Sequence, residues 1–219
     1  MLFVKDKSFY RSFFRMMFVI ALQNVIVYGV NLADNIMIGQ YSENAMAGVN
    51  LANQIQFLLQ MLVAGAAEGI SVLASRSWGA KEIGPIRSLL AIGARVAILI
   101  PLILWVAAFF FPQACLGLFS NDAAVIAEGV DYLRIVSFSY ICFGVSTVLL
   151  TLMRSVETVF LGFWISLSTL FVNIGLNYTL IGGHFGFPRL GVAGAAIASL
   201  AARAAAAVLI TVLIVIALV

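Results

Sequence analysis

Charge is the scarcest property of this 219-residue sequence. Asp, Glu, Lys and Arg together make up only 10% of it, while apolar residues reach 63%. An ordinary soluble domain is about half apolar and a quarter charged. A chain of this size cannot bury so much apolar surface in one aqueous core, so lipid must solvate much of it. Histidine is nearly absent: His184 is the single one, in a glycine-rich loop, and one imidazole does not make a metal site. The two cysteines, Cys115 and Cys142, have neither CxxC nor metal-ligand spacing and read as small buried hydrophobes. Basic residues are few and scattered, so no continuous patch offers itself to nucleic acid. No nucleophile–base pair, HExxH or phosphate loop is found, so an enzyme is not expected.

What the sequence has instead is long apolar runs. Residues 1–15 carry Lys5, Lys7, Arg11 and Arg15 among Phe9, Tyr10, Phe13 and Phe14, the make-up of a short interfacial segment. The first apolar stretch is too long for a signal peptide and has no small-residue cleavage site after it. Six apolar stretches follow, at about 16–40, 46–74, 89–112, 132–153, 159–182 and 191–216, each near the roughly 20 residues a bilayer requires. The runs are continuous rather than alternating, which predicts helices and not barrel strands. The expected fold is therefore an all-α integral membrane bundle of six helices over residues 16–219. Polar turns separate the spans, among them a stretch opened by Ser120-Asn121-Asp122 and running to Asp131, and Arg154-Ser155-Val156-Glu157-Thr158. Pro101 falls inside the third span and is expected to kink it.

Orientation follows from the basic residues. With the N-terminus cytoplasmic, the inside collects Lys5, Lys7, Arg11, Arg15, Arg76, Lys81, Arg87 and Arg154, and the outside keeps Arg134 and Arg189. An even number of spans then returns the C-terminus to the cytoplasm. The last run, through Val208 and Leu213 to Val219, ends while still apolar, with no polar anchor of the kind that usually closes a span. It reads as a chain cut within a helix.

Polar groups inside a span are costly and need a reason. The first span holds Gln23, Asn24, Asn31, Asp34 and Asn35. Asn24, Asn31 and Asn35 fall on one helical stripe with Asp34 at its edge. The fifth span holds Asn173 and Asn177, four residues apart and on one face. Asp34 and Asn177 each lie roughly 18 residues, or about 27 Å, from the inner end of their span, so both belong to the outer half of the membrane. A carboxylate facing two amide oxygens suits a hard cation such as Na+, or a proton. The amides could equally glue the bundle by interhelical hydrogen bonds. Asn50, Asn53, Gln54, Gln56 and Gln60 open the second span and suit a water-lined face, with Asn31, Asn50 and Gln54 as candidate cavity-lining residues. Glu68 and Arg95 fall at similar heights and are expected to form an ion pair, unless Arg95 snorkels to the surface. Arg203, in the middle of the sixth span, must face protein or water, but no partner can be named. The small residues Gly65-Ala66-Ala67 with Gly69, and Gly191, Gly194, Ala195, Ala198 and Ala202, suit close helix packing.

Several stretches resemble the MATE (multidrug and toxic compound extrusion) family. They are Val30-Asn31-Leu32-Ala33-Asp34-Asn35-Ile36-Met37-Ile38-Gly39, then Gly69-Ile70-Ser71-Val72-Leu73-Ala74-Ser75-Arg76-Ser77-Trp78-Gly79-Ala80. The third is Asn173-Ile174-Gly175-Leu176-Asn177-Tyr178-Thr179-Leu180-Ile181-Gly182-Gly183, followed by Gly191-Val192-Ala193-Gly194-Ala195-Ala196-Ile197-Ala198-Ser199. Each block alone is weak, but their order and spacing together are fairly specific, from about residue 10 to the end. The resemblance implies one lobe, the N-terminal one, of a twelve-helix transporter whose two lobes form a V. It implies efflux of drugs or organic cations across the plasma membrane in exchange for H+ or Na+, with no cofactor beyond that ion. It maps cation coupling onto Asp34, Asn173 and Asn177, and makes Ser199 a further cavity-lining candidate. Two positions depart from the pattern: many members carry an acidic residue where Asn177 stands, and many carry proline where Val19 stands.

The expected partners are thus the bilayer, small amphipathic or cationic substrates, and either a missing C-terminal lobe or a second copy of the chain. The nearest alternative is a lipid-linked saccharide flippase of the same superfamily, which should show a strongly cationic central cavity. The other is a non-transporting half-gene scaffold, against which a buried Asp34 argues.

Overall fold

The computed structural model describes residues 7–218, and those residues fold into eight α-helices and one short 3-10 turn. In chain order they are α1 Lys7–Gly39, α2 Glu43–Gly79, α3 Ile83–Phe110, α4 Pro112–Gly117, α5 Ala123–Val136, α6 Ser139–Ser155, α7 Val159–Gly182 and α8 Gly191–Leu218. No strand occurs among the described residues. Helices α1, α2, α3, α7 and α8 are each long and apolar enough to cross a membrane. Helices α5 and α6 together make a sixth span, bent by 57°. The six-helix bundle expected from hydropathy is therefore the architecture found.

Two boundaries differ from expectation. The first helix does not begin after residue 15: α1 runs without a break from Lys7 to Gly39, while residues 1–6, Lys5 among them, lie outside the described residues. The polar stretch 120–131 is not a loop throughout. Asp122 caps α5, its side chain accepting from the backbone N–H of Ala124 (2.9 Å) and Val125 (3.3 Å). That satisfies donors a helix start would leave free, so the helix begins at Ala123 in spite of Glu128 and Asp131. Pro101 lies inside the third span as expected, and α3 continues through it to Phe110.

Packing sorts the apolar residues into two populations. Ile38, Val49, Leu59, Val63, Leu133, Val136, Tyr140 and Val148 are buried in one continuous core. Phe18, Val25, Tyr28, Leu32, Met61, Val72, Ile103 and Phe171 stay more than half exposed, an apolar exterior that only lipid would solvate. Helix α2 is central, resting on α3, α5 and α6, while α8 rests on α5, α6 and α7. Helix α1 joins the bundle chiefly through α7 and touches its sequence neighbour α2 much less, which leaves a gap between α1 and α2.

Glycine makes the tightest crossing possible. A Cβ on Gly48 of α2 would stand 2.6 Å from the backbone nitrogen of Gly129 on α5, so neither position accepts a side chain without parting the helices. Small residues also line α8, where Ala195, Ala198 and Ala202 are buried and Gly194 abuts the Leu180 carbonyl. The second small-residue face expected for packing is different. Ala67 is buried, but Gly65 and Gly69 face open space.

Candidate functional site

The gap beside α1 is a cavity of about 310 Å3, walled by α1, α2, α6, α7 and α8. Helical periodicity decides which residues reach it. On α1, Gln23, Asn24, Asn31 and Asp34 line it; on α7, Ser166, Thr169 and Asn173 do, and on α8, Ser199 and Arg203. Asn35 is one step further round α1 and does not.

At one end of the cavity three helices converge on a carboxylate. Asp34 is 7% exposed, Asn173 1%, Asn177 0% and Ser199 3%. Asn177 Nδ2 donates to Asp34 Oδ1 and to Asn173 Oδ1 at 3.2 Å. Ser199 Oγ donates to Asp34 Oδ2 at 3.4 Å. Asp34, Asn173 and Asn177, proposed together from sequence, are thus in direct contact, and Ser199 joins them from α8. The other amide oxygen, Asn177 Oδ1, is buried without a partner. A buried acceptor left unmatched is uncommon and calls for a reason. The cluster offers oxygen atoms from a carboxylate, two amides and a hydroxyl, the donor set a hard cation takes.

Arg203 sits across the same cavity. Its Nη1 donates to Ser139 Oγ at 2.9 Å, and its guanidinium lies 5.7 Å from the Phe143 ring centroid. Ser139 Oγ in turn donates to the Val136 carbonyl at 2.6 Å. Arg203 therefore anchors at the α5–α6 break, where the C-terminal end of α5 presents carbonyls that favour a cation. It also interacts electrostatically with Asp34. The partner could not be named from sequence because the break at residues 137–138 carries no glycine or proline to mark it.

The opposite end is closed by Gln23, which sequence reasoning noted without giving it a role. Its side chain is 2% exposed. Nε2 donates to Ser166 Oγ (3.0 Å) and the Gly162 carbonyl (3.3 Å), and Oε1 accepts from Arg154 Nη2 at 2.9 Å. One amide so ties α1, α6 and α7 together.

Three expectations fail here. Glu68 does not pair with Arg95: Glu68 lines the cavity, as does Arg154, and Arg95 lies on the exposed face of α3. The face of α3 turned inward carries Gly93 and Ala97. Arg95 is two residues from each, and so points the opposite way round the helix. Asn50 and Gln54 do not line the cavity either. The row that does is Gln56, Gln60, Ala64 and Glu68, at the i, i+4 spacing of one face. Gln54 lies nearly opposite Gln56, and Asn50 about 120° round from it.

A bundle of six spans with a buried carboxylate–amide cluster opening on a polar cavity is the build of a membrane transporter lobe, and the protein is a multi-pass membrane protein. The MatE family model matches residues 20–179; the chain belongs to this family, whose members are transporters and not enzymes. Among similar proteins, the "Probable multidrug resistance protein NorM" of Thermotoga maritima is 30% identical over 86% of this chain and 41% of its own length. The "Uncharacterized transporter YisQ" of Bacillus subtilis is 26% identical over 90% of this chain and 43% of its own. A crystal structure of MATE in the bent conformation superposes with a TM-score of 0.77, at 19% identity over 92% of this chain and 44% of that one. The chain spans about two fifths of the length of the relatives it matches.

Proposed function

We propose that this chain is the N-terminal lobe of an antiporter that exports drugs or organic cations in exchange for H+ or Na+, and that Asp34, Asn173, Asn177 and Ser199 hold the coupling ion. The observation that carries the reading is the Asp34 cluster. A buried carboxylate that lines a cavity a solute can share is joined, behind it, by a buried amide oxygen with no partner. A Na+ ion would take the orphan oxygen as a ligand. A proton on Asp34 would remove the charge that burial disfavours. Either event alters how firmly α1 is held to α7 and α8, and so links ion binding to the walls of the cavity.

The flippase alternative needs a strongly cationic cavity. Here Arg154 and Arg203 are balanced by Asp34 and Glu68, which favours the drug antiporter. The test is the whole transporter in proteoliposomes loaded with a cationic dye. An imposed Na+ or H+ gradient should drive dye movement, and collapsing that gradient with an ionophore should stop it. Dye movement that ignores both gradients would refute the antiporter.

We further propose that the N- and C-termini face the cytoplasm of the plasma membrane, from the Lys/Arg asymmetry of the loops. In a variant lacking Cys115 and Cys142, an impermeant thiol reagent added outside should label Asp122→Cys and Phe187→Cys but not Lys81→Cys. All three positions are exposed. Labelling at Lys81→Cys alone would invert the orientation.

A further inference from the structure

A second concavity, separate from the Asp34 cavity, lies on the outer surface of the lobe. It is a groove of about 330 Å3 between the first half of α1 and the start of α7. Its floor and sides come from Phe18, Val19 and Leu22 on α1 and from Phe160, Phe163 and Trp164 on α7. Among the described residues, only one charged side chain lines it. Arg15 stands at the mouth, its guanidinium 4.6 Å from the Phe160 ring centroid. The groove is open to the outside of the bundle, with Phe18 65% and Trp164 61% exposed.

Depth and charge identify the occupant. The rings of Phe9 and Phe13, and those of Tyr10 and Phe14, stack along α1, and with Lys7, Arg11 and Arg15 among them they give this stretch the make-up of an interfacial segment. Arg15 closes that segment, so the mouth lies at headgroup depth. The groove then runs from Arg15 to Leu22, about 10 Å along the helix axis towards the hydrocarbon. Lys7, Arg11 and Arg15 are spaced by four and share one flank of α1, which adds positive potential at the mouth. A ligand that fits must carry an anion at headgroup level and hydrocarbon below it. A cationic solute would be repelled by that flank, and a net-neutral zwitterionic lipid, although its phosphate could still meet Arg15, carries a choline-type cation that Lys7, Arg11 and Arg15 would repel.

We propose that this groove is a binding site for one anionic glycerophospholipid. Its phosphate is held by Arg15 and an acyl chain lies between α1 and α7. A guanidinium offers a phosphate two parallel N–H donors, which a lysine ammonium cannot reproduce. The lipid would bridge the two helices that also carry Asp34 and Asn177, though the site itself is independent of any assignment of transported ion or drug. The cytoplasmic orientation proposed above puts the groove in the leaflet that holds most anionic lipid.

The test uses the whole transporter, purified and stripped of lipid in detergent. Dioleoyl phosphatidylglycerol, dioleoyl phosphatidylcholine or inorganic phosphate is titrated while thermal unfolding is followed. Native mass spectrometry counts the lipid retained. Phosphatidylglycerol should raise the unfolding temperature saturably, with one molecule retained, and the other two should have little effect. Arg15→Gln should weaken the apparent affinity roughly tenfold, Arg15→Lys by less, and Leu22→Trp, which fills the groove, should abolish the effect. Arg87→Gln, an exposed cation outside the groove, should leave it unchanged. If Arg15→Gln does not fold, Arg15→Lys and Leu22→Trp decide. The proposal is overturned if phosphatidylcholine stabilises as well as phosphatidylglycerol, or if Arg15 and groove variants bind like wild type. It is equally overturned if Arg87→Gln weakens binding as much as Arg15→Gln, since the effect would then be diffuse charge.

Discussion

Asp34→Asn in the whole transporter is expected to abolish ion-driven efflux while the protein still folds and reaches the membrane. The substitution is close to isosteric and can keep both hydrogen bonds of the cluster. The new amide oxygen would accept from Asn177 Nδ2 as Asp34 Oδ1 does now. The new NH2 would donate to Ser199 Oγ, a hydroxyl that can accept as well as donate. What disappears is the negative charge and the ability to titrate. Expression and unfolding temperature should thus stay near wild type, and dye efflux should fall to the level of an empty vector. A milder variant tests the same cluster from another side. Ser199→Ala removes one hydrogen bond to the carboxylate, a change of about 1–3 kcal/mol for a charged acceptor. It should raise the ion concentration needed for half-maximal efflux without eliminating transport. If Asp34→Asn exports normally with unchanged Na+ and pH dependence, the carboxyl is structural and the assignment of the coupling site fails.

Expressed alone, residues 1–219 are expected to insert in the membrane and to export nothing. The reason is geometric. A transporter of this kind alternates access by moving two bundles around a site between them. The cavity here is walled by five helices of one bundle, which supply one side of such a site. The chain spans 41% of the Thermotoga maritima relative and 43% of the Bacillus subtilis one, room enough in each for a second bundle. Cells producing the lobe alone should accumulate ethidium as fast as cells with an empty vector. Co-expression with the remainder of the transporter should restore export. Export by the lobe purified as a monomer would refute the expectation, whereas export that tracks a dimer would mean that a second copy takes the place of the other lobe.

Much of this could be read from the chain itself, and the reason differs from feature to feature. The membrane class follows from composition, because a bilayer selects long apolar runs that no aqueous core can absorb. Asp34, Asn173 and Asn177 stood out because polar groups are rare and costly inside a span. The similar heights of Asp34 and Asn177 followed from the fixed helical rise. The fourth span begins at Ala123, some nine residues before the apolar run at about 132 suggests. Its first turns carry Glu128 and Asp131, and its bend at residues 137–138 is held by the adjacent Ser139 and by Arg203 from α8.

The errors share one cause. Periodicity states which residues of a helix lie on a common face, but not which neighbour that face meets. Gln56, Gln60 and Glu68 share a row by sequence alone, yet only the rotation of α2 in the bundle turns that row towards the cavity and Gln54 away from it. Glu68 and Arg95 match in height and differ in direction, so they never meet, and Glu68 instead shares the cavity wall with Arg154. In the same way the contact of Asp34 with Asn177 and Ser199, and the Gln23 link from α1 to α6 and α7, join residues more than 130 positions apart. The sequence by itself determined the solvent, the helices and the polar groups that need a purpose, because each depends on local chemistry. The tertiary structure alone decided which of those groups meet, because that depends on how each helix is rotated about its own axis when the small residues of α2, α5 and α8 close the bundle.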